Sequence, residues 1–106
     1  MWARSGTYLG RPVPGAEREL IEGITNELVP AMRKLPGVIE ARVLWPRSSE
    51  DFEISKMFCQ MFIYFSEEAD LTRMLDCPER ERIRVIRDRL LKLFEGNVEH
   101  INFEVG

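Results

Sequence analysis

The sequence predicts an α+β domain in which helices cover one side of an antiparallel sheet and a second copy of the chain covers the other. Three observations carry this expectation. The stretch from Met57 to Phe65 sets Met57, Cys59, Met61, Ile63 and Phe65 on one strand face and Phe58, Gln60, Phe62 and Tyr64 on the other, so both faces need cover. Two stretches, Ala16 to Leu35 and the region after Pro78, space their apolar residues as amphipathic helices do, which amounts to a single helical layer. Strand and helix patterns then follow in the order β, α, β, β, α, β.

The first strand spans Trp2 to Arg11, with Gly6 as a bulge or a point of close approach. Ala3, Ser5, Thr7 and Leu9 make one face mostly small, while Trp2, Arg4 and Tyr8 make the other large. Pro12 and Pro14 with Gly15 end it. Leu20, Ile21, Ile24, Leu28, Met32 and Leu35 form the apolar stripe of the first helix. Pro30 lacks a backbone donor, so it kinks that helix or starts its last turn afresh, and Pro36-Gly37 stops it. Val38 to Trp45 is a strand with Ile39, Ala41, Val43 and Trp45 on one face. Pro46 to Ser55 is a polar, acidic loop leading into the strand at Met57. A short helix starts near Ser66, buries Leu71, Met74 and Leu75, and breaks at Pro78. Ile83, Ile86, Leu90, Leu91 and Phe94 mark the second main helix, with Gly96 just past its end, and Val98 to Val105 is the last strand. The order is that of the ferredoxin-like split βαβ fold.

Size and charge set further bounds. With 106 residues the chain is expected to form one domain, residues 1–106, burying roughly two-thirds of its unfolded surface. A net charge of −3 offers no general attraction to nucleic acid or to an anionic membrane. No apolar run approaches membrane-spanning length and the N-terminus carries no secretory pattern, so a cytoplasmic location is expected. Cys59 and Cys77 lack a CxxC pair or a disulfide framework, and both are expected as free thiols. One histidine and two separated cysteines give no metal-ligand spacing, and neither metal nor cofactor is expected.

The run Val29-Pro30-Ala31-Met32-Arg33-Lys34-Leu35-Pro36-Gly37 before the second strand, and Phe62-Ile63-Tyr64-Phe65-Ser66-Glu67 followed by a short helix and a break at Pro78, resemble the dimeric α+β barrel superfamily. That superfamily includes antibiotic-biosynthesis monooxygenases and stress-responsive barrel proteins. The resemblance implies a homodimer whose sheets pack into a barrel, with a pocket in each subunit between sheet and helices. Several members carry a histidine two residues after that proline. Arg80 stands there instead, which counts against histidine-based cyclisation or haem breakdown.

The strand phasing that the resemblance implies turns Ser5, Thr7, Met57, Cys59 and Met61 toward the helices. With Arg80 they form the candidate substrate-binding set, a concave, sulfur-rich site with a few hydroxyls. The competing reading fills that space with helix side chains. Cys59 has no neighbour in sequence to lower its pKa and is not expected as a nucleophile. Trp2, Tyr8, Phe58, Phe62 and Tyr64 are assigned to the dimer interface. His100, the one histidine, is placed at the same seam, although its face could instead line the barrel and make it a base. Tyr8-Leu9-Gly10 and Phe62 to Phe65 also resemble the two signatures of RNA recognition motifs, but Phe58, Cys59 and Gln60 depart from them. The run Arg80, Arg82, Arg84, Arg87 and Arg89, interleaved with acids, is assigned to a solvated face. These residues support a homodimer that binds a small aromatic or polyketide-like molecule, as a cofactor-independent monooxygenase if it is catalytic. The alternative is a non-catalytic interaction or RNA-binding module.

Overall fold

β1 (Trp2–Pro12), β2 (Val38–Leu44), β3 (Met57–Phe65) and β4 (Phe94–Glu104) form one sheet in the order β2-β3-β1-β4, with every neighbouring pair antiparallel. The computed structural model describes residues 1–106. One layer of helices covers the sheet. Between β1 and β2 lie α1 (Glu17–Gly23), a π-helical turn Ile24–Leu28 and α2 (Val29–Arg33), and between β3 and β4 lie α3 (Glu68–Asp76) and α4 (Arg80–Leu91). This is the α+β, ferredoxin-like architecture expected from the sequence.

The π-helical turn has a local cause. Pro30 cannot donate to the helical ladder, and the turn ahead of it widens before α2 restarts with Pro30 in its first turn. Leu20, Ile24, Leu28, Val29, Ala31 and Leu35 still reach the core, where they meet Leu71, Met74, Ile83 and Leu90 from α3 and α4. The sheet contributes Tyr8, Ala41, Cys59, Met61, Ile63 and Phe65 to the same core. Each large side chain taken fully out of water there is worth about 1.5–3 kcal/mol.

Two bulges shift the phase of the strands. The pairing slips between Val38 and Glu40, which throws Ile39 outward to 56% exposure, whereas Ala41 and Val43 keep the expected inward direction. A second slip sets Tyr8 opposite Cys59 but Leu9 opposite Met57, so Phe58 is the extra residue on β3. Its ring packs 5.9 Å from Phe94 and edge-on to Trp45 at 5.6 Å. β4 also begins earlier than Val98. Phe94 is its first residue, and Gly96 lies inside it, opposite Gly10. Both glycines have positive φ, 138° and 149°, and the backbones approach so closely that a Cβ on Gly96 would sit 2.0 Å from the Leu9 carbonyl oxygen. This contact holds the two strands paired where a helix end was expected.

The strand register corrects the expected faces. Residues directly opposite one another share a side of the sheet, so Trp2, Arg4, Gly6 and Tyr8 share the helix side with Phe65, Ile63, Met61 and Cys59 on β3, and with Asn102, His100 and Val98 on β4. Ala3, Ser5 and Thr7 share the open side with Gln60, Phe62 and Tyr64, and with Ile101 and Phe103. Trp2, Tyr8 and His100 are therefore not on the open face assigned to the dimer seam, and Phe58 leaves that face through its bulge. Ser5 and Thr7 do not point at the helices. β1 pairs odd with even residues across β3, so its small face lies on the side opposite to the sulfur-rich one.

Candidate functional site

Gly6 is the origin of a cavity between sheet and helices. A strand residue without a side chain leaves a gap over the middle of the sheet, and the His100 ring lies beside it, 3.6 Å from where a Cβ would stand. Leu28, Met32 and Leu35 close the cavity from the first helical stretch, Met74 from α3, and Ile83 from α4. Met61, Ile63, Val98 and the buried Tyr8 line its floor. Its volume, taken as the space a water centre can reach, is about 60 Å³. That is room for about four waters and well short of the roughly 150 Å³ of a cavity that takes a benzene ring, so a ring enters only if the lining moves.

The rim is cationic. Arg80, Ile83, Arg84 and Arg87 lie at helical spacings of three, four and seven along α4, which turns them to one side, and all four line the cavity together with Arg4 and His100. Arg84 pairs with Glu81 at 3.0 Å and Arg87 with Asp88 at 3.2 Å. Arg4 instead donates to the Asn102 side-chain oxygen at 2.9 Å, and Arg80 to the Leu75 carbonyl at 3.0 Å, so neither has a carboxylate of its own.

Burial and this crowding move the titrations. Burial, then the charge of Arg80, pulls the Arg4 pKa down; burial, then Arg84 and Arg87, does the same to Arg80, against a smaller opposing effect of Cys77 and Asp76. His100 keeps contact with solvent at the rim, yet partial desolvation, then Arg4, Arg87 and Arg80, holds its pKa below the ordinary histidine value. It is a neutral imidazole at pH 7, a proton acceptor among cations. Burial pushes the Tyr8 phenol well above its usual range, so this hydroxyl stays protonated as a donor. Burial also raises the Cys59 thiol to about 12, which removes it as a nucleophile at neutral pH.

Of the expected substrate-binding residues, Met61 and Arg80 line the cavity. Ser5 borders it through the strand itself, while its hydroxyl turns to the open side toward the Ile101 carbonyl at 3.5 Å. Thr7 accepts a hydrogen bond from Gln60 at 3.2 Å on that same side. Met57 lies beyond the bulge, and Cys59 is sealed in the core. The expected solvated arginine run divides: Arg82 and Arg89 face away, Arg89 bonding Glu27, whereas Arg80, Arg84 and Arg87 turn to the cavity. Arg4, Tyr8 and Gly6 belong to the site as well. A glycine midway along a central strand, under a helix with arginines at positions i, i+4 and i+7, is the pattern in the sequence that marks it.

This fold recurs among solved structures. An EthD family protein from Bacillus halodurans superposes with a TM-score of 0.75 at 19% identity, over 100% of this chain and 99% of that one. SnoaB, a cofactor-independent oxygenase from Streptomyces nogalater, gives 0.67 at 13% identity over 98% and 91%. A dimeric ferredoxin-like protein of unknown function from Jannaschia sp. gives 0.64 at 21% identity over 99% and 100%. No family model matches the chain, and no curated protein does. The Jannaschia neighbour is a dimeric ferredoxin-like protein and others are antibiotic biosynthesis monooxygenases, so the chain has the ferredoxin-like α+β fold that its sequence resembles. At these identities the likeness extends to fold alone.

Proposed function

We propose that the chain is a cytoplasmic homodimer that binds a small aromatic molecule in the cavity over Gly6 and, if catalytic, oxidises it without a cofactor. The observation that carries this is the pairing of an apolar chamber with two polar groups of opposite task, neutral His100 and protonated Tyr8. A cofactor-free oxygenation suits that pairing. His100 would take a proton from an acidic C–H or O–H, leaving an electron-rich anion that reduces O₂ directly. For a ring CH₂ converted to a ketone, one oxygen atom enters the carbon. The other leaves as water with the two hydrogens, and the carbon supplies all four electrons. Even one ring needs Met32, Met61 and Met74 to shift, which unbranched thioethers do readily, and a polycyclic, polyketide-like substrate needs a larger movement of the same wall.

Oxygen uptake with a panel of one- to three-ring phenols and benzylic ketones tests the reading. Uptake above the buffer rate that falls at least tenfold in His100→Asn supports it, and neither binding nor uptake by any member removes it.

The open face supports the dimer. Phe62 and Tyr64 stack at 6.2 Å, Phe62 and Phe103 lie at 6.5 Å, and Ile101, Phe103 and Leu44 remain more than two-fifths exposed on a single subunit. The same aromatics would serve the RNA-binding alternative, but Arg42 on that face is offset by Glu40, 3.8 Å away, and Glu99 adds a negative charge, so the face has no basic patch to draw a phosphate backbone. Sedimentation velocity separates the two: a tight dimer favours the first, and a monomer that retains single-stranded RNA favours the second.

A further inference from the structure

We infer that the ligand of this cavity is an anion, an apolar ring bearing a carboxylate or another negative oxygen group, seated against Arg4 and Arg80 with its ring over Gly6. The inference rests on the cavity being a binding site and deepens that reading. Three independent features lead to it.

The first is an imbalance of charge. The chain as a whole carries a net charge of −3, so a cluster of four arginines around one cavity is not the by-product of a basic protein. The second is the lack of compensation. Arg84 and Arg87 have carboxylate partners, but Arg4 and Arg80, residues of intermediate exposure, are hydrogen-bonded only to a neutral amide and a backbone carbonyl. Each guanidinium has five donors, and one bond leaves most of them for a guest. Like charges held partly out of water are costly unless an anion joins them. The third is position. Arg4 is on β1, two residues from Gly6, and Arg80 opens α4 above it, so the two cations approach the chamber from the sheet and from the helices. A flat carboxylate fits between guanidiniums, which bind it through paired N–H donors, and its ring then extends into the apolar chamber.

The test is calorimetric titration of the full chain with benzoate and with benzamide, its neutral counterpart of nearly equal shape. The expected result is at least tenfold tighter binding of benzoate, with that preference reduced to under threefold in Arg80→Met and retained in Arg82→Met, which alters the same helix away from the cavity. Arg4→Gln gives the same readout from the strand side should Arg80→Met fail to fold. Raising salt from 50 to 500 mM should weaken benzoate and leave benzamide unchanged. Equal affinity for the two probes, or tighter benzamide, overturns the anion inference and leaves the cavity as a binding site. Binding of neither at millimolar concentration overturns both.

Discussion

Replacing Gly6 by alanine should make the protein more stable and less able to bind. Gly6 is not among the glycines with positive φ, so alanine adopts its backbone without strain. Its new methyl would meet His100 Cδ2 and Nε2 at 3.6 Å and Val98 Cγ1 at 3.8 Å, ordinary van der Waals distances. A glycine inside a strand costs about 0.5–1 kcal/mol relative to alanine, and that cost is recovered. At about 4–8 °C per kcal/mol for a domain near this size, the midpoint should rise by about 2–8 °C. The same methyl stands on the floor of a chamber of about 60 Å³ and competes with any ring placed there. Overpacking by one methyl costs about 1–3 kcal/mol, and 1.4 kcal/mol is tenfold, so benzoate affinity should fall by roughly five- to 140-fold. Thermal unfolding of the free protein, followed by calorimetric titration, reads both effects. A more stable variant with undiminished affinity would refute the chamber as the binding site. A less stable variant would refute the claim that Gly6 is there for space.

Four further outcomes follow from the packing and the titrations. Because His100 holds its proton less tightly folded than unfolded, the unfolded chain binds more protons below pH 6.5; stability should therefore fall as pH drops from 6.5 toward the folded value, and pH-dependent denaturation of His100→Asn should lack that component. Cys59, raised to about 12, keeps its proton in the fold while an unfolded thiol loses it near 9, so stability should decline as pH rises from about 9 to 12, and a thiol reagent at pH 8 should label Cys77 long before Cys59. Gly23→Ala would set a Cβ 2.3 Å from Leu90 Cδ2 in a side chain only 2% exposed; overpacking of about 1–3 kcal/mol exceeds the roughly 1 kcal/mol gained in helix propensity, and a urea double-mutant cycle with Leu90→Ala should show the two changes partly cancelling. Phe62→Glu places a charge among Phe103 and Tyr64, and sedimentation should show monomers with an unchanged circular dichroism spectrum; a wild-type monomer would contradict the dimer outright.

The order of elements is legible because each has a strong local signal: the doubly apolar Met57 to Phe65, the stripe from Leu20 to Leu35, and the proline break before α4. Which side each β1 residue faces is not. Periodicity shows that Tyr8 and Ser5 lie on opposite faces of their strand, but only the pairing of Tyr8 with Cys59 decides which face meets the helices. A single bulge hides Phe58 in the same way, since one extra residue on β3 moves its ring from the open side toward Phe94. The arginines of α4 are ambiguous for a related reason. Glu81 and Arg84 do pair as their spacing suggests, yet that pairing is compatible with a helix face that also borders a cavity. Phe94 continues the apolar stripe of the helix in sequence, whereas the Gly10 and Gly96 contact draws it into the strand.

The small residues of β1 have an effect on the opposite surface. Ala3 and Ser5, 3% and 1% exposed, stand between taller neighbours, and Phe62 and Phe103 lean together above them from the flanking strands. The outer relief of the sheet is thus shaped by side chains that solvent never touches. Enlarging Ser5 to leucine would lift that aromatic roof and, in the proposed homodimer, spoil its fit to a facing subunit, so a defect in assembly would originate beneath the contact surface.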